Sequence, residues 1–167
     1  MNYLSIYTIT EFTSPLGSIT LISSEKGLSQ LLFEPSCLSI QNFKTASIPF
    51  NIVKAEDSNF AQQLIEYFEG KRKEFNIPLD LKGTSFRKKV WSALLSIPYG
   101  QTMSYGQIAN YIGNPKASRA VGQACGANPV PIIVPCHRVL TSSGKMGGYT
   151  GGIHIKNALL KIEGVIL

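Results

Sequence analysis

Acidic residues are almost missing from the second half of this 167-residue chain: between residues 81 and 167 the one carboxylate side chain is Glu163, against ten Lys and Arg. Residues 1–80 hold six Lys and Arg and nine Asp and Glu, so the halves stand at minus three and plus nine and sum to +6. Cations crowded without acids repel one another unless something negative neutralises them, so the second half faces either a polyanion or plain solvent as a basic surface. Cysteine is scarce too. Three residues, Cys37, Cys125 and Cys136, cannot all pair and are too few for a disulfide scaffold, which points to free thiols in a reducing cytoplasm. No apolar run approaches the roughly 20 residues of a membrane helix, and Met1 to Glu11 lacks the basic start and apolar centre of a secretory signal, so no membrane partner is expected. With 44% hydrophobic residues, 16% charged ones and no long polar tract or internal repeat, disorder and fibrous folds are excluded.

What is present reads as a mixed α/β chain of the α+β kind. Ser5–Phe12, Ser18–Ser23 and Leu28–Phe33 are β-branched, apolar segments separated by Ser14-Pro15-Leu16-Gly17 and Glu25-Lys26-Gly27, turns that fit an antiparallel meander. Residues 34–56 show no clear period and are expected to be a loop or a weakly ordered crossing. Phe60, Leu64, Ile65 and Phe68 define a helical face between Asp57 and Glu69, with Asp57 or Ser58 as N-cap and Gly70 as the stop. A domain boundary is expected near Ile77-Pro78-Leu79, giving domains 1–80 and 81–167.

The second domain is expected to be mostly helical. Phe86, Val90 and Leu94, with Trp91 as an optional fourth member, form an apolar face between Ser85 and Ile97; Ser104 and Gln107 form a capping box; Asn114 and Pro115 open a further helix running to about Gly126. Two helices joined through Gly113-Asn114-Pro115 match a helix-turn-helix in spacing, and an ordinary antiparallel helix pair could use the same punctuation. Ala117, Ala120, Gly122, Ala124, Gly126 and Ala127 leave the last helix short of large side chains, for tight packing or for close approach to a groove, with Arg119 as its long cation.

The chemistry centres on residues 129–139. Three prolines and a β-branched run are expected to hold this segment extended and stiff, so that Cys136 is either a positioned nucleophile or an inert small hydrophobe. His137, Arg138 and the basic surround would favour a thiolate. In an extended segment neighbouring side chains point to opposite sides, so His137 would reach the sulfur through a water. Glu163, at the end of a helix spanning His154 to Glu163, is by elimination the acid that could orient the imidazole, unless it pairs with a surface lysine. Cys125, Cys136, His137 and His154 lack the paired short spacings of zinc sites, so no metal is expected. Gly144 to Gly152 is a glycine-rich loop, either a backbone-lined slot beside Tyr149 or a flexible hairpin.

The string Pro129 to Val139, with Asn128 before it and Gly147 to Gly152 after it, resembles the O6-alkylguanine-DNA alkyltransferases. Tyr105, Arg119, the Pro-Cys-His-Arg-Val core and Glu163 follow in compatible order over residues 84–167. The first third looks like the small ribonuclease-H-like domain of that family, a small antiparallel sheet with a helix, and the remainder like its winged helix-turn-helix catalytic domain. The resemblance implies repair of double-stranded DNA containing O6-alkylguanine: an alkyl group passes irreversibly to Cys136 from an everted base, without cofactor. Thymine alkylated at O4 and assembly of several copies along a strand are left open for what is otherwise a monomer. By the same resemblance His137 is the base, Glu163 fixes its tautomer, Tyr105 helps protonate the departing guanine, and Asn128 braces the turn before Cys136. Tyr149, Thr150, Val139, Gly147 and Pro131 would surround the base, while Arg119 with Ala117, Ser118, Ala120 and Gly122 would meet the DNA groove. Gln123 stands where the family often has glycine, and Thr150 where serine is common. Rival readings are a module that recognises alkylated bases without repairing them, a thiol hydrolase, and a winged-helix regulator; the first replaces the nucleophile, whereas Cys136 is present.

Overall fold

The computed structural model describes residues 6–34 and 36–166, and the chain divides into two compact units, Met1–Leu81 and Lys82–Leu167. Ser5, the expected first residue of the opening strand, lies outside the described residues.

In the first unit β1 (Tyr7–Ser14), β2 (Gly17–Ser24) and β3 (Gly27–Leu32) form the expected antiparallel meander. The β1–β2 turn explains itself: Gly17 has φ +103°, open to glycine, and the Ser14 hydroxyl accepts from Leu16 N at 3.0 Å and donates to Gly17 O at 2.9 Å. Ile19, Thr20, Leu21 and Ile22 are buried in succession, so both faces of the sheet are covered at β2.

Residues 34–56 differ from the expected loop or weakly ordered crossing. They hold α1 (Ser36–Thr45), β4 (Phe50–Ile52), which joins β1 in parallel to give the order β3-β2-β1-β4, and a 3-10 turn at Ala55–Asp57. Serine, asparagine, threonine and isoleucine give α1 little intrinsic preference for helix. Tertiary contacts supply what propensity does not: the Phe43 ring meets Tyr7 edge-on at 5.3 Å and Phe50 at 5.8 Å. In α2 (Asn59–Phe68) the Ser58 side chain accepts from Ala61 N, as an N-cap should. The buried face is Ala61, Leu64 and Tyr67, rotated from the expected one, with Phe60, Ile65 and Phe68 half-buried. Gln63 is buried beside them and exchanges two hydrogen bonds with the backbone of Asn76, at 3.0 and 2.8 Å.

The second unit contains α3 (Ser85–Leu95), β5 (Met103–Ser104), α4 (Tyr105–Tyr111), α5 (Ser118–Gly126), a 3-10 turn at Cys136–Arg138, β6 (Val139–Leu140) and α6 (Ile153–Ile162). Thr84 caps α3, which buries Val90, Trp91, Ala93 and Leu94 and leaves Phe86 half-buried. Trp91 Nε1 donates to Ala124 O at 2.8 Å, satisfying a carbonyl in the last turn of α5 that has no partner within its own helix. The Ser104–Gln107 capping box forms, with bonds of 2.6 and 3.1 Å.

Two expectations need correction here. Asn114 does not cap α5: residues 114–117 make a separate turn closed by Ala117 N to Asn114 O at 3.0 Å, and the helix starts at Ser118 without a side-chain cap. The segment 129–139 is not extended either. Val134 N bonds Val130 O at 2.9 Å, Ile132 takes φ +74°, and Cys136–Arg138 coil into the 3-10 turn. Proline stiffens a chain without dictating extension; here the side chain of Asn128 sets its course.

Candidate active site

Asn128 follows α5 and is buried. Its Oδ1 accepts from Val130 N at 3.0 Å, while Nδ2 donates to Val134 O at 2.7 Å and to Cys136 Sγ at 3.1 Å. One amide thus closes the loop and fixes the sulfur at its end. A positive φ at β-branched Ile132 costs about 1–3 kcal/mol; the Asn128 bonds and the full burial of that side chain offset it. Pro131 is buried in the same loop, bridged to Val134.

Cys136 is 4% exposed. Burial pushes its thiol up to about 11, against the opposing pull of the Asn128 hydrogen bond and the Lys156 charge. The resting sulfur is therefore a thiol at neutral pH, not the thiolate expected from a basic surround. Arg138 does not serve it. Arg138 Nε donates to Glu163 Oε2 at 2.8 Å, Nη2 to Oε1 at 2.9 Å and Nη1 to Ile97 O at 2.6 Å, and its guanidinium lies 5.9 Å from the centre of the Tyr99 ring.

Glu163 is buried, not a surface partner for lysine. Its Oε1 also lies 2.7 Å from His137 Nε2, and Oε2 accepts from Gly100 N at 3.1 Å. Burial works against its ionisation, yet the bonds from His137 and Arg138 win and bring its carboxyl down to about 2. His137 moves downward from its ordinary value because burial outweighs its attraction to Glu163. A neutral imidazole beside an ionised carboxylate must carry its proton on Nε2. Nδ1 then holds a lone pair, and it is buried with no hydrogen-bond partner. No hydrogen bond joins it to Sγ directly. The turn of Cys136–Arg138, rather than alternation along a strand, is what separates the two side chains.

Tyr105 opens α4 and is held near this cluster: burial, with the neighbouring Cys125 and Cys136, pushes its hydroxyl upward, so it keeps its proton at neutral pH. It forms a wall of a cavity of ≈ 460 Å³ with Gly106, Ser118, Arg119, Gly122, Thr141 and Ser142. Arg119 is exposed there, and among the described residues its guanidinium has no hydrogen bond or ion pair. Val121, Ala124 and Cys125 form the inward face of α5, while Ala117, Ser118, Ala120 and Gly122 lie half-buried on its flanks, so the small residues serve packing on one side and open space on the other. A Cβ on Gly147 would stand 2.5 Å from the Tyr105 hydroxyl, so any larger residue there must push the end of that ring aside. Thr150 Oγ1 donates to Gly126 O at 3.0 Å, tying the glycine-rich loop to the end of α5, and Tyr149 is half-buried in that loop. The Val139 carbonyl already accepts from Lys156 Nζ at 2.6 Å, keeping one lone pair for another donor.

Sequence reasoning missed Lys156. The signal was available: on a helical wheel it falls inside the arc of Ile155, Leu159 and Leu160. Among the described residues no three His, Cys, Asp or Glu side chains gather as metal ligands, all three cysteines are free thiols, and no helix is long and apolar enough to cross a membrane.

Comparison with known proteins meets this geometry. Residues 85–165 match the 6-O-methylguanine DNA methyltransferase DNA binding domain, and residues 5–81 the ribonuclease-like domain of the same name. The methylated-DNA–protein-cysteine methyltransferase of Methanosarcina acetivorans is 47% identical over 155 residues, covering 92% of this chain and 96% of that protein. Its namesake in Mycobacterium tuberculosis is 47% identical over 150 residues, covering 90% and 88%. The crystal structure of the M. tuberculosis O6-methylguanine methyltransferase superposes with a TM-score of 0.81 at 44% identity, covering 94% of this chain and 92% of that one. The crystal structure of the M. tuberculosis OGT in complex with DNA gives 0.81 at 45%, covering 95% and 92%.

Proposed function

The chain belongs to the 6-O-methylguanine DNA methyltransferase family, and from that premise we propose how its own residues act. It binds DNA and repairs it by alkyl transfer to a protein cysteine. The acceptor is Cys136, and the observation that carries this reading is the sulfur pinned by Asn128 beside an imidazole whose tautomer is set by ionised Glu163.

The damaged guanine leaves the duplex, at about a few kcal/mol, because O6 is out of reach inside the stack. Arg119, exposed on α5 among small residues, fills the space it vacates. The cavity ends at Tyr105, so the base reaches the sulfur when the Gly147–Gly152 loop gives way around that ring. Pro131, Val139, Tyr149 and Thr150 then surround the purine. His137 Nδ1 takes the thiol proton through a water; Sγ attacks the alkyl carbon as the bond from that carbon to O6 breaks; Tyr105 returns a proton to the guanine. A thioether does not exchange as a disulfide does, so each chain acts once. It works as a monomer, in the cytoplasm, where its free thiols persist.

Replacing the nucleophile tests this. Cys136→Ser is expected to bind methylated duplex with the affinity of the parent chain and to transfer nothing, measured by strand-filter binding and by loss of the methyl label from DNA. Normal transfer by that variant would remove Cys136 from its role.

A further inference from the structure

Among the described residues Lys156 is a buried charge with neither a carboxylate partner nor a part in the transfer chemistry. It projects from the first turns of α6, is 0% exposed, and reaches Val139 O with Nζ at 2.6 Å, the length of a charge-assisted bond. Val139 is joined in turn to the nucleophile, because its N–H bonds the Cys136 carbonyl across the 3-10 turn. An ammonium without an anion is costly in an interior. Among the described residues no carboxylate of this unit is open to it. Glu163 is the single acid side chain between residues 81 and 167, and its oxygens are taken by His137, Arg138 and Gly100. The titratable groups that face Lys156 are Cys136 and His137 on the turn and Cys125 on α5. Both thiols are protonated at rest, and His137 is neutral. Burial moves the Lys156 ammonium down from its ordinary value while the two sulfurs oppose that shift, so this is a positive charge whose counter-ion does not exist until a proton leaves one of those sulfurs.

We propose that Lys156 is that counter-charge, a positioning residue that stabilises the sulfur of Cys136 as it becomes anionic during attack. It gives and takes no proton: the thiol proton still departs through His137, and the ammonium offsets the charge left behind. Cys125 faces the same ammonium, but Cys136 alone is tied to it through Val139 and bound by Asn128. This role rests on Cys136 being the alkyl acceptor.

The test uses the full chain with Lys156→Met, which keeps the length of the side chain without its charge, and Lys156→Arg, which keeps the charge. Single-turnover transfer from a duplex containing O6-methylguanine is followed from about pH 6 to about pH 10, with thermal unfolding and DNA affinity measured alongside. An opposite charge facing an ionising group moves its ionisation by about 1–3 pH units, so the Met variant is expected to react about ten- to a hundred-fold more slowly at neutral pH. Its deficit holds steady while pH stays below the ionisation of the parent thiol at about 11, and narrows only where the buried ammonium, lowered from its ordinary value, loses its own proton; Arg restores most of the rate, and the Met variant unfolds no earlier than the parent. An Arg variant as slow as Met would mean that Lys156 only props Val139 and would overturn the proposal. If the Met variant does not fold, the Arg variant decides: the parent pH profile supports the role and a displaced one overturns it. A parent chain that carries no methyl on Cys136 overturns the transfer reading itself, whereas a parent that transfers and a Met variant that matches it at every pH overturn Lys156 alone.

Discussion

The two units bury different things. Among the described residues of the first, the buried polar side chains are Thr10, Ser14, Thr20, Ser39 and Gln63, none of them charged. The second buries His137, Arg138, Lys156 and Glu163 within one cluster, beside Asn128. An interior that only has to be stable gains nothing from ions, because taking a charge out of water costs more than an apolar replacement of the same size. The first unit meets the needs of stability alone, and the second accepts that cost to hold an imidazole, a carboxylate and two cations around one thiol.

The largest expected break in this contrast is Glu163→Ala. It strands Arg138 and His137 without their partner and should cost the second unit about 3–5 kcal/mol, read by denaturant unfolding. A loss below about 1 kcal/mol would mean that the cluster is solvated after all. The same pair sets an acid limit. The Glu163 carboxyl sits near 2 in the folded chain against 4.5 in a free side chain, so its contribution is complete above 4.5 and lost as pH falls towards 2. His137, also lowered, begins the decline earlier, because the unfolded chain takes up its proton as pH drops below 6.5. Unfolding followed across this range should show two steps in the parent and the loss of the lower one in Glu163→Ala.

Next in size is a change in the uncharged core. Leu64→Ala in α2 should cost about 2–5 kcal/mol by leaving a cavity, without moving either acid step. Hydrogen exchange confined to residues 6–81 would report it, and a shift of the acid profile would contradict the division of labour. The smallest effect on stability, about 0.5 kcal/mol, is expected for Gly147→Ala on its half-exposed loop. The added methyl pushes on the Tyr105 hydroxyl and narrows the space behind it. Transfer of a benzyl group should slow more than transfer of a methyl group in single-turnover assays; equal slowing would remove Gly147 from the pocket wall.

How much of this could be read beforehand follows from where each element draws its stability. The meander was legible because alternation and the Ser14–Gly17 turn are local. So was the Ser104–Gln107 cap, which needs four consecutive residues. The helix α1 was not, since its order comes from Phe43 meeting rings on β1 and β4. Prolines around Ile132 read as extension, while the actual path depends on one amide reaching forward to Val130, Val134 and Cys136. Glu163 could be found by elimination because it had no competitor in its half. Arg138 was seen as a charge near sulfur, yet geometry gives it to Glu163. Ionic partners chosen across 25 residues of chain are settled by tertiary packing, and no local pattern records them.

The most direct measurement is the mass of the peptide carrying Cys136 after the full chain meets an excess of duplex DNA containing O6-methylguanine. One methyl group per chain, on that peptide, with the reaction stopping once every chain is marked, is the predicted result. Continued demethylation by chains whose Cys136 stays unmodified, or a methyl carried by Cys37 or Cys125 instead, would contradict it.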